Sequence, residues 1–317
     1  MTEPAMQRET FAVHPLPPFD FAMTADYATH YRGRNLWEFY EDGVYRRVVE
    51  LDGRLGVAAV RSLGDVDAPL LEVEVAAPSL DDEAVASARR QVEWVFQTQV
   101  DLAPFYRMAE GDPFLAPLTA MHRGFRVPQG TSVLEGLVNA ILGQQISGQV
   151  ARAVRTAVME AFGETVTVDG VEYRAFPTAR ALAAAGVEGL RAQKLSWRKA
   201  EYVWDIASKE AAGEIDLEGL FDRSDEDVVE TLTQLRGVGV WTAHWLLVRT
   251  LGRTDGFPHG DLAIQRTLGD VVNGGVRMTA EEALAYSERW SPYRTYVTTY
   301  LFAAIRSGRP DWLPPTP

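Results

Sequence analysis

The sequence contains no cysteine and has few histidines. Without cysteine there is no disulfide, no thiolate-held zinc and no iron–sulfur cluster, and the five histidines are scattered without ligand spacing. No apolar run approaches the roughly 20 residues that span a bilayer, and the first thirty residues lack a signal peptide's basic start and apolar core. We therefore expect a cytoplasmic protein with no membrane segment, no cofactor and no metal held by side chains.

Basic residues are also scarce relative to acidic ones, and the formal net charge is -13. A protein that coats nucleic acid nonspecifically normally carries a basic excess, so the charge argues against that class. The length of 317 residues and the hydrophobic fraction of 46% are enough for a sizeable core in two or three domains.

The amino-terminal third has the pattern of a small α+β domain. Apolar segments flank Asp52-Gly53, a hairpin turn signal, and Leu70 to Ala76 alternates before a helical stretch from Leu80 to about Gln99. The segment from Ala109 to Pro117 carries glycine and proline without periodicity. We place a domain boundary near residue 112, giving domains at 1–112 and 113–317.

The rest of the chain is mainly helical. Ser132 and Glu135 form a predicted capping box for a helix that Gly143 interrupts, and a second helix follows from about Ser147 to Phe162. A minor hairpin is expected in Thr165 to Ala175. Further helices are predicted to begin near Ser196, Ser224, Thr279 and Pro292.

The stretch "LRGVGVWTAHWLL" from Leu235 joins two of these helices through Gly237 and Gly239. Such a Gly-x-Gly hairpin, within about residues 224–251, exposes backbone N–H groups at a helix N-terminus, where a phosphate can approach because no β-carbon blocks it. Taken alone, the pattern is more often an ordinary turn in which glycine ends a helix.

Additional motifs make the interpretation of this hairpin more specific. "LRGVGVWTA" and "GFPHGDLAIQR" resemble the helix-hairpin-helix DNA glycosylases, most closely the 3-methyladenine DNA glycosylase II branch, and Asp261 lies at that branch's spacing, 22 residues after Gly239. The resemblance includes "EGLVNAILGQQIS" and "ERWSPYRTYVTTYLFAA" and covers most of residues 120–306. It implies a mainly α fold of two helical subdomains, with the small α+β domain added at the N-terminus.

Asp261 is the predicted catalytic residue. Breaking an N-glycosidic bond develops positive charge on the deoxyribose, and a carboxylate facing that charge stabilises it and can orient the attacking water. The position before "LAIQRTLG" also predicts Asp261 as an N-cap, where the helix dipole favours the ionised form. Capping alone is the alternative role.

The resemblance also implies a base pocket. A flipped cationic base such as 3-methyladenine or 7-methylguanine gains from stacking on aromatic faces, and Trp245 and Phe302 match family positions that line the pocket. The family often has tryptophan where this chain has Phe302. Trp241 and Tyr296 are further candidates, whereas Trp290 and at least one tyrosine are expected in the core.

The remaining implied roles concern DNA contact. Gln145 matches the position of the residue that fills the hole left by the flipped nucleotide, and Gln144 is expected at the DNA beside it. An exposed surface turn is the alternative role for the pair, above all for Gln144. Gly237, Gly239 and Thr242 are expected at the DNA backbone, with a cation held by backbone groups at the two glycines.

Trp241 stands where bifunctional members carry the lysine that forms a Schiff base, which implies base removal without strand cleavage. We therefore expect a monomeric, monofunctional glycosylase acting on double-stranded DNA with alkylated bases. Two alternatives stay open: a glycosylase for oxidised or deaminated bases, and a helix-hairpin-helix DNA-binding protein without catalysis.

Overall fold

The computed structural model describes residues 6–29 and 37–307. Its amino-terminal part is an antiparallel sheet of five strands in the order β1-β5-β4-β3-β2. The strands are β1 (Gln7–Val13), β2 (Glu38–Glu41), β3 (Val44–Leu51), β4 (Arg54–Ser62) and β5 (Leu71–Ala77), and the helices packed on them are α1 (Phe21–Thr29) and α2 (Asp82–Phe96).

The predicted hairpin at Asp52-Gly53 is confirmed. Leu51 pairs with Arg54, and both turn residues have positive φ, 52° at Asp52 and 73° at Gly53, as a tight two-residue turn between antiparallel strands requires. The alternation predicted around residues 70–76 becomes β5, which lies between β1 and β4 in the sheet. Strands β1 and β2 and helix α1 were not predicted from the sequence.

The remainder is helical apart from one small hairpin. The predicted helices beginning near Ser132, Ser147, Ser196, Ser224, Thr279 and Pro292 are confirmed, as is the hairpin at residues 165–175. The elements are α3 (Ala103–Glu110), α4 (Leu115–Met121), α5 (Val133–Gly143), α6 (Gly148–Phe162), β6 (Thr165–Val168), β7 (Val171–Arg174), α7 (Ala179–Ala192), α8 (Trp197–Ala211), α9 (Asp225–Thr233), α10 (Val240–Arg249), α11 (Leu262–Val272), α12 (Ala280–Ser287) and α13 (Arg294–Arg306).

Two hydrophobic cores divide these helices, which confirms the predicted fold of two helical subdomains beside a small α+β part. One core joins α5 to α10, and the other joins α3, α4 and α11 to α13. Helix α10 contributes to both, with Leu246 and Leu247 in the first and Val248 in the second. A segment that shares both cores is held from two sides, so α10 is well placed to carry a site.

The predicted boundary near residue 112 stays a prediction. Phe105 of α3 lies before it and Leu118 of α4 after it, yet both belong to the same core. Within the described ranges, 6–29 and 37–307, no helix is long and apolar enough to cross a membrane.

Half of the predicted capping box at α5 is present. The Ser132 hydroxyl accepts a hydrogen bond from Glu135 N at 3.3 Å, but the Glu135 carboxylate lies 3.6 Å from Arg47 Nη2, on the side of the sheet. The carboxylate of Glu218 accepts from the Ser132 hydroxyl and from Val133 N, each at 3.0 Å. Glu135 therefore links α5 to the sheet through Arg47.

Candidate active site

The hairpin between α9 and α10 places its two glycines in different surroundings. Gly237 has φ +85°, and a Cβ built there would lie 2.2 Å from Cδ2 of the Tyr202 ring. At Gly239, where φ is -105°, a Cβ would meet none of the described atoms within 4 Å. Gly237 is thus required for the turn itself, whereas Gly239 leaves an open approach to the backbone.

Gly239 is the N-cap of α10, and the first intrahelical hydrogen bond runs from Ala243 N to Gly239 O at 3.1 Å. The N–H groups of Val240, Trp241 and Thr242 precede that bond at the positive end of the helix dipole. They form a binding position for an anion such as a phosphate. Thr242 is only 2% exposed, so a contact with DNA would be made by its backbone amide, and that contact stays a prediction.

The loop between α5 and α6 lies against this hairpin. Gln144 is half-buried, and its side-chain Nε2 donates to Gly237 O at 2.9 Å. Lys199 of α8 donates from Nζ to Leu142 O and Gln144 O, at 2.8 and 2.7 Å, which fixes the end of α5. Gln145 is exposed, with φ 57°, so it projects from a fixed base.

These contacts divide the two glutamines. Gln144 is bound to the hairpin backbone, and Gln145 is the one exposed to solvent; the DNA contacts expected of both stay predictions. The Gly237 carbonyl accepts a hydrogen bond from Gln144. The backbone-held cation expected at Gly237 and Gly239 stays a prediction.

A cavity of about 640 Å³ lies beside the hairpin and is bordered by α5, α10 and α13. Trp241 and Trp245, one turn apart on α10, present nearly parallel rings with centroids 5.9 Å apart. Phe302 of α13 meets Trp245 edge-on, at 88° and 5.6 Å between centroids. All three aromatic side chains are half-buried and line the cavity, and their role as a base pocket stays a prediction.

Asp261 lines the same cavity and caps α11. Its Oδ1 accepts from Ala263 N at 2.8 Å and Ile264 N at 3.3 Å, and its Oδ2 accepts from the Trp241 indole Nε1 at 3.2 Å. The cap fixes one oxygen at the helix N-terminus and leaves the other at the aromatic wall. Capping and a second, cavity-facing role are therefore compatible in this residue.

Tyr296 does not line this cavity, which corrects its predicted place in the base pocket. It is 7% exposed and packs in the second helical core, with its ring centroid 5.3 Å from that of Phe105. Tyr296 and Phe302 are six residues apart on α13, about 120° from each other around the helix, so they face different sides. The predicted core position of Trp290 is confirmed, since it is 1% exposed.

Several cavity residues were missed by the sequence analysis. Arg249 follows Trp241 and Trp245 at the same helical spacing, a signal that could have identified it. Its guanidinium lies 4.9 Å from the Tyr27 ring centroid, and that of Arg306 lies 3.7 Å from the same centroid. Tyr27 comes from α1, so the amino-terminal part contributes to the wall without any local sequence signal.

Two histidines support the segment that carries Asp261. The rings of His244 on α10 and His259 lie 5.5 Å apart at 75°, and Gln265 Nε2 donates to His259 O at 3.0 Å. Burial, followed by the electrostatic influence of His259 and Arg294, lowers the pKa of His244 to about 4. The folded protein therefore holds this imidazole neutral.

That neutral imidazole predicts a pH dependence of stability. Since the pKa of His244 is depressed from 6.5 to about 4, the unfolded chain binds its proton first, and stability falls as pH is lowered through this window. A His244→Leu variant should lose less melting temperature between about pH 7 and about pH 5 than the wild type. His14→Leu, at an exposed position, is the matched control and should behave as the wild type; equal losses in all three proteins would contradict the prediction.

The geometry brings a carboxylate, parallel aromatic faces and an anion-binding helix terminus together at one cavity. Residues 138–292 match the family described as HhH-GPD superfamily base excision DNA repair protein. The chain is 28% identical over 293 residues to the DNA-3-methyladenine glycosylase of Bacillus subtilis, covering 90% of this chain and 94% of the relative.

Two further comparisons agree. The chain is 30% identical over 188 residues to DNA-3-methyladenine glycosylase 2 of Escherichia coli, covering 59% of this chain and 63% of that protein. The solved 3-methyladenine DNA-glycosylase of Archaeoglobus fulgidus superposes with a TM-score of 0.84 at 29% identity, over 94% of this chain and 99% of that one.

Proposed function

We propose that this chain, which belongs to the HhH-GPD superfamily of base excision DNA repair proteins, removes alkylated bases from double-stranded DNA by hydrolysing the N-glycosidic bond. The observation that carries the proposal is that Asp261 lines one cavity with the parallel rings of Trp241 and Trp245, beside the hairpin. The substrates are bases of the 3-methyladenine and 7-methylguanine type. The protein acts as a monomer on DNA in the cytoplasm.

The chemistry follows from the charges that develop when the bond breaks. The deoxyribose becomes cationic, and the Asp261 carboxylate stabilises that charge and orients the water that attacks it. A base alkylated at N3 or N7 is already cationic and leaves as a neutral molecule, so it needs little acid assistance. The stabilisation is therefore needed mainly at the cationic sugar, and Asp261 supplies it there.

Base binding relies on the aromatic wall. A base flipped from the duplex can stack on Trp245 or Trp241, and a cationic ring gains additional attraction from their electron-rich faces. Phe302 closes the wall edge-on against Trp245. Because stacking tolerates different bases, this wall supports binding of several alkylated bases.

DNA contact is assigned to the hairpin and the adjacent loop. The amides following Gly239 bind a phosphate near the lesion, and Gln145 enters the space that the flipped nucleotide leaves. Gln144 positions the loop through its bond to Gly237 O. A chain with a net charge of -13 thus needs only a local contact built from backbone dipoles.

Strand cleavage is not part of the proposed reaction. Bifunctional members carry the Schiff-base lysine at the position that Trp241 occupies here. The indole N–H of Trp241 donates to Asp261 Oδ2. Borohydride should therefore trap no covalent complex with lesion DNA, and nicks should appear only after alkali. Efficient trapping would show that another amine attacks the sugar, and a bifunctional member of the superfamily serves as the positive control.

One observation favours a second candidate function, release of neutral bases that carry a carbonyl group, such as hypoxanthine. Three arginines, Arg155, Arg249 and Arg306, line the cavity together with the tryptophans. Arginine donates hydrogen bonds and suits a carbonyl oxygen better than a cationic ring.

A panel of duplexes distinguishes the candidates. Each duplex carries a single 3-methyladenine, 7-methylguanine, hypoxanthine or ethenoadenine, and the released base is quantified under single-turnover conditions. The proposal expects the two methylated bases to be released fastest. Faster release of hypoxanthine would favour the second candidate, and tight duplex binding without any release would favour a non-catalytic binding protein.

A further inference from the structure

The wall formed by α5 contains a polar atom that lacks a partner. Asn139 lines the cavity, and its Nδ2 donates to Glu135 Oε1 at 3.4 Å. Its Oδ1 is buried and has no hydrogen-bond partner in the part of the chain that the structure describes. A buried polar atom without a partner is costly, so its presence in a binding cavity indicates a contact made by the ligand.

The orientation of the Asn139 amide follows from its neighbour. The carboxylate of Glu135 can only accept hydrogen bonds, so the end of the amide that faces it must be the NH₂ group. The carbonyl oxygen is then the end left for a ligand, and because it is buried in the free protein, a small displacement of the neighbouring wall must accompany binding. Asn139 can therefore accept a hydrogen bond from a base but cannot donate one at that atom.

Glu135 is itself held in place by the sheet. Arg47, buried with Glu38, lies 3.6 Å from Glu135 Oε2 and donates to Thr131 Oγ1 at 2.7 Å. This link between the sheet and α5 keeps the carboxylate and the Asn139 amide in one arrangement. The result is an Asn139 amide held with its unpaired oxygen on the side away from Glu135.

We propose that Asn139 determines specificity by accepting a hydrogen bond from the exocyclic 6-amino group of adenine-derived lesions; this inference rests on the proposed function. With the sugar at Asp261, the base extends its far edge toward the rest of the wall. In 3-methyladenine that edge carries a 6-amino group, and the positive charge of the ring makes it a stronger hydrogen-bond donor. In 7-methylguanine the 6-position carries a carbonyl oxygen, which Asn139 Oδ1 would repel.

The test compares release of 3-methyladenine and 7-methylguanine by the wild type and by Asn139→Leu, which has nearly the same size but no acceptor. Single-turnover rates should show the 3-methyladenine rate falling about tenfold or more, with the 7-methylguanine rate unchanged or raised. Because the readout is a ratio within one protein, a partly unfolded preparation does not change it. Asn273→Leu, the same change at an exposed asparagine outside the cavity, should leave both rates at wild-type values.

The possible outcomes separate the two claims. A fall of both rates by the same factor, or of neither, would overturn the role of Asn139 and leave the proposed function intact. Absence of release of either base by the wild type would overturn the proposed function and this inference together. A lower ratio of 3-methyladenine to 7-methylguanine release in Asn139→Leu alone supports the assignment.

Discussion

Asp261→Asn is expected to lower single-turnover release of 3-methyladenine by roughly a hundredfold or more, the scale on which losing one pre-organised electrostatic contact affects catalysis. Binding to a duplex that contains an abasic site should survive, because the carboxylate acts on a charge that exists only in the transition state. The loss should be smaller for 7-methylguanine, whose bond is more labile.

In Asp261→Asn the main change is the loss of the negative charge, because most of the local contacts can be kept. The asparagine oxygen can keep the cap on Ala263 N and Ile264 N, so α11 should persist. The new NH₂ group would face the Trp241 Nε1–H, now 3.2 Å from Oδ2, and that one hydrogen bond would be lost. Trp241→Phe loses the same bond without changing the charge and is the matched control.

We expect Trp241→Phe to reduce release far less than Asp261→Asn. Comparable losses in the two variants would contradict the claim that the charge of Asp261 is what matters, since Trp241→Phe keeps that charge and an aromatic ring in the wall. Near-wild-type release by Asp261→Asn would show that this residue only caps α11.

Gly239→Val should weaken binding to duplex DNA by roughly tenfold to a hundredfold, the value of one or two hydrogen bonds to a charged phosphate. The added side chain covers the amides at the start of α10, where the phosphate would lie. In the free protein it meets no described atom, and φ of -105° suits valine. The melting temperature should therefore stay close to that of the wild type.

Gly237→Val is the contrasting variant. Its Cβ would lie within 2.2 Å of the Tyr202 ring, and φ of +85° is unfavourable for any β-branched residue. We expect a loss of about 1–3 kcal/mol in the free energy of unfolding. Fluorescence anisotropy and thermal melting of both variants separate the two roles; a stable Gly239→Val protein with wild-type affinity would remove the phosphate site from the hairpin.

Helix starts were predictable because their signals are local. Ser147, Ser196, Ser224 and Thr279 each cap the helix that follows, through a side chain bonded to an amide three residues on. Asp261 belongs to the same group, so its cap could be read from the sequence. Its bond to Trp241, which requires α10 and α11 to meet, depends on tertiary structure.

The residues of the cavity were predicted only in part, because some of them meet only in the tertiary structure. Trp241 and Trp245 share a face of α10, and the resemblance identified Phe302. Tyr296 was misplaced because aromatic composition does not specify the face of α13. Tyr27 and Asn139 belong to elements distant in sequence from the hairpin, and only the folded chain brings them to the cavity.

The central claim is that this cavity hydrolyses the bond between an alkylated base and its sugar. The most direct measurement treats duplex DNA carrying 3-methyladenine and 7-methylguanine with the protein, then quantifies free base and abasic sites in the same sample by mass spectrometry. We predict one abasic site for each base released, in strands that stay intact, and with Asp261→Asn a release that falls roughly a hundredfold for 3-methyladenine and less for 7-methylguanine. Release at the uncatalysed rate, or release that Asp261→Asn leaves unchanged, would contradict the account.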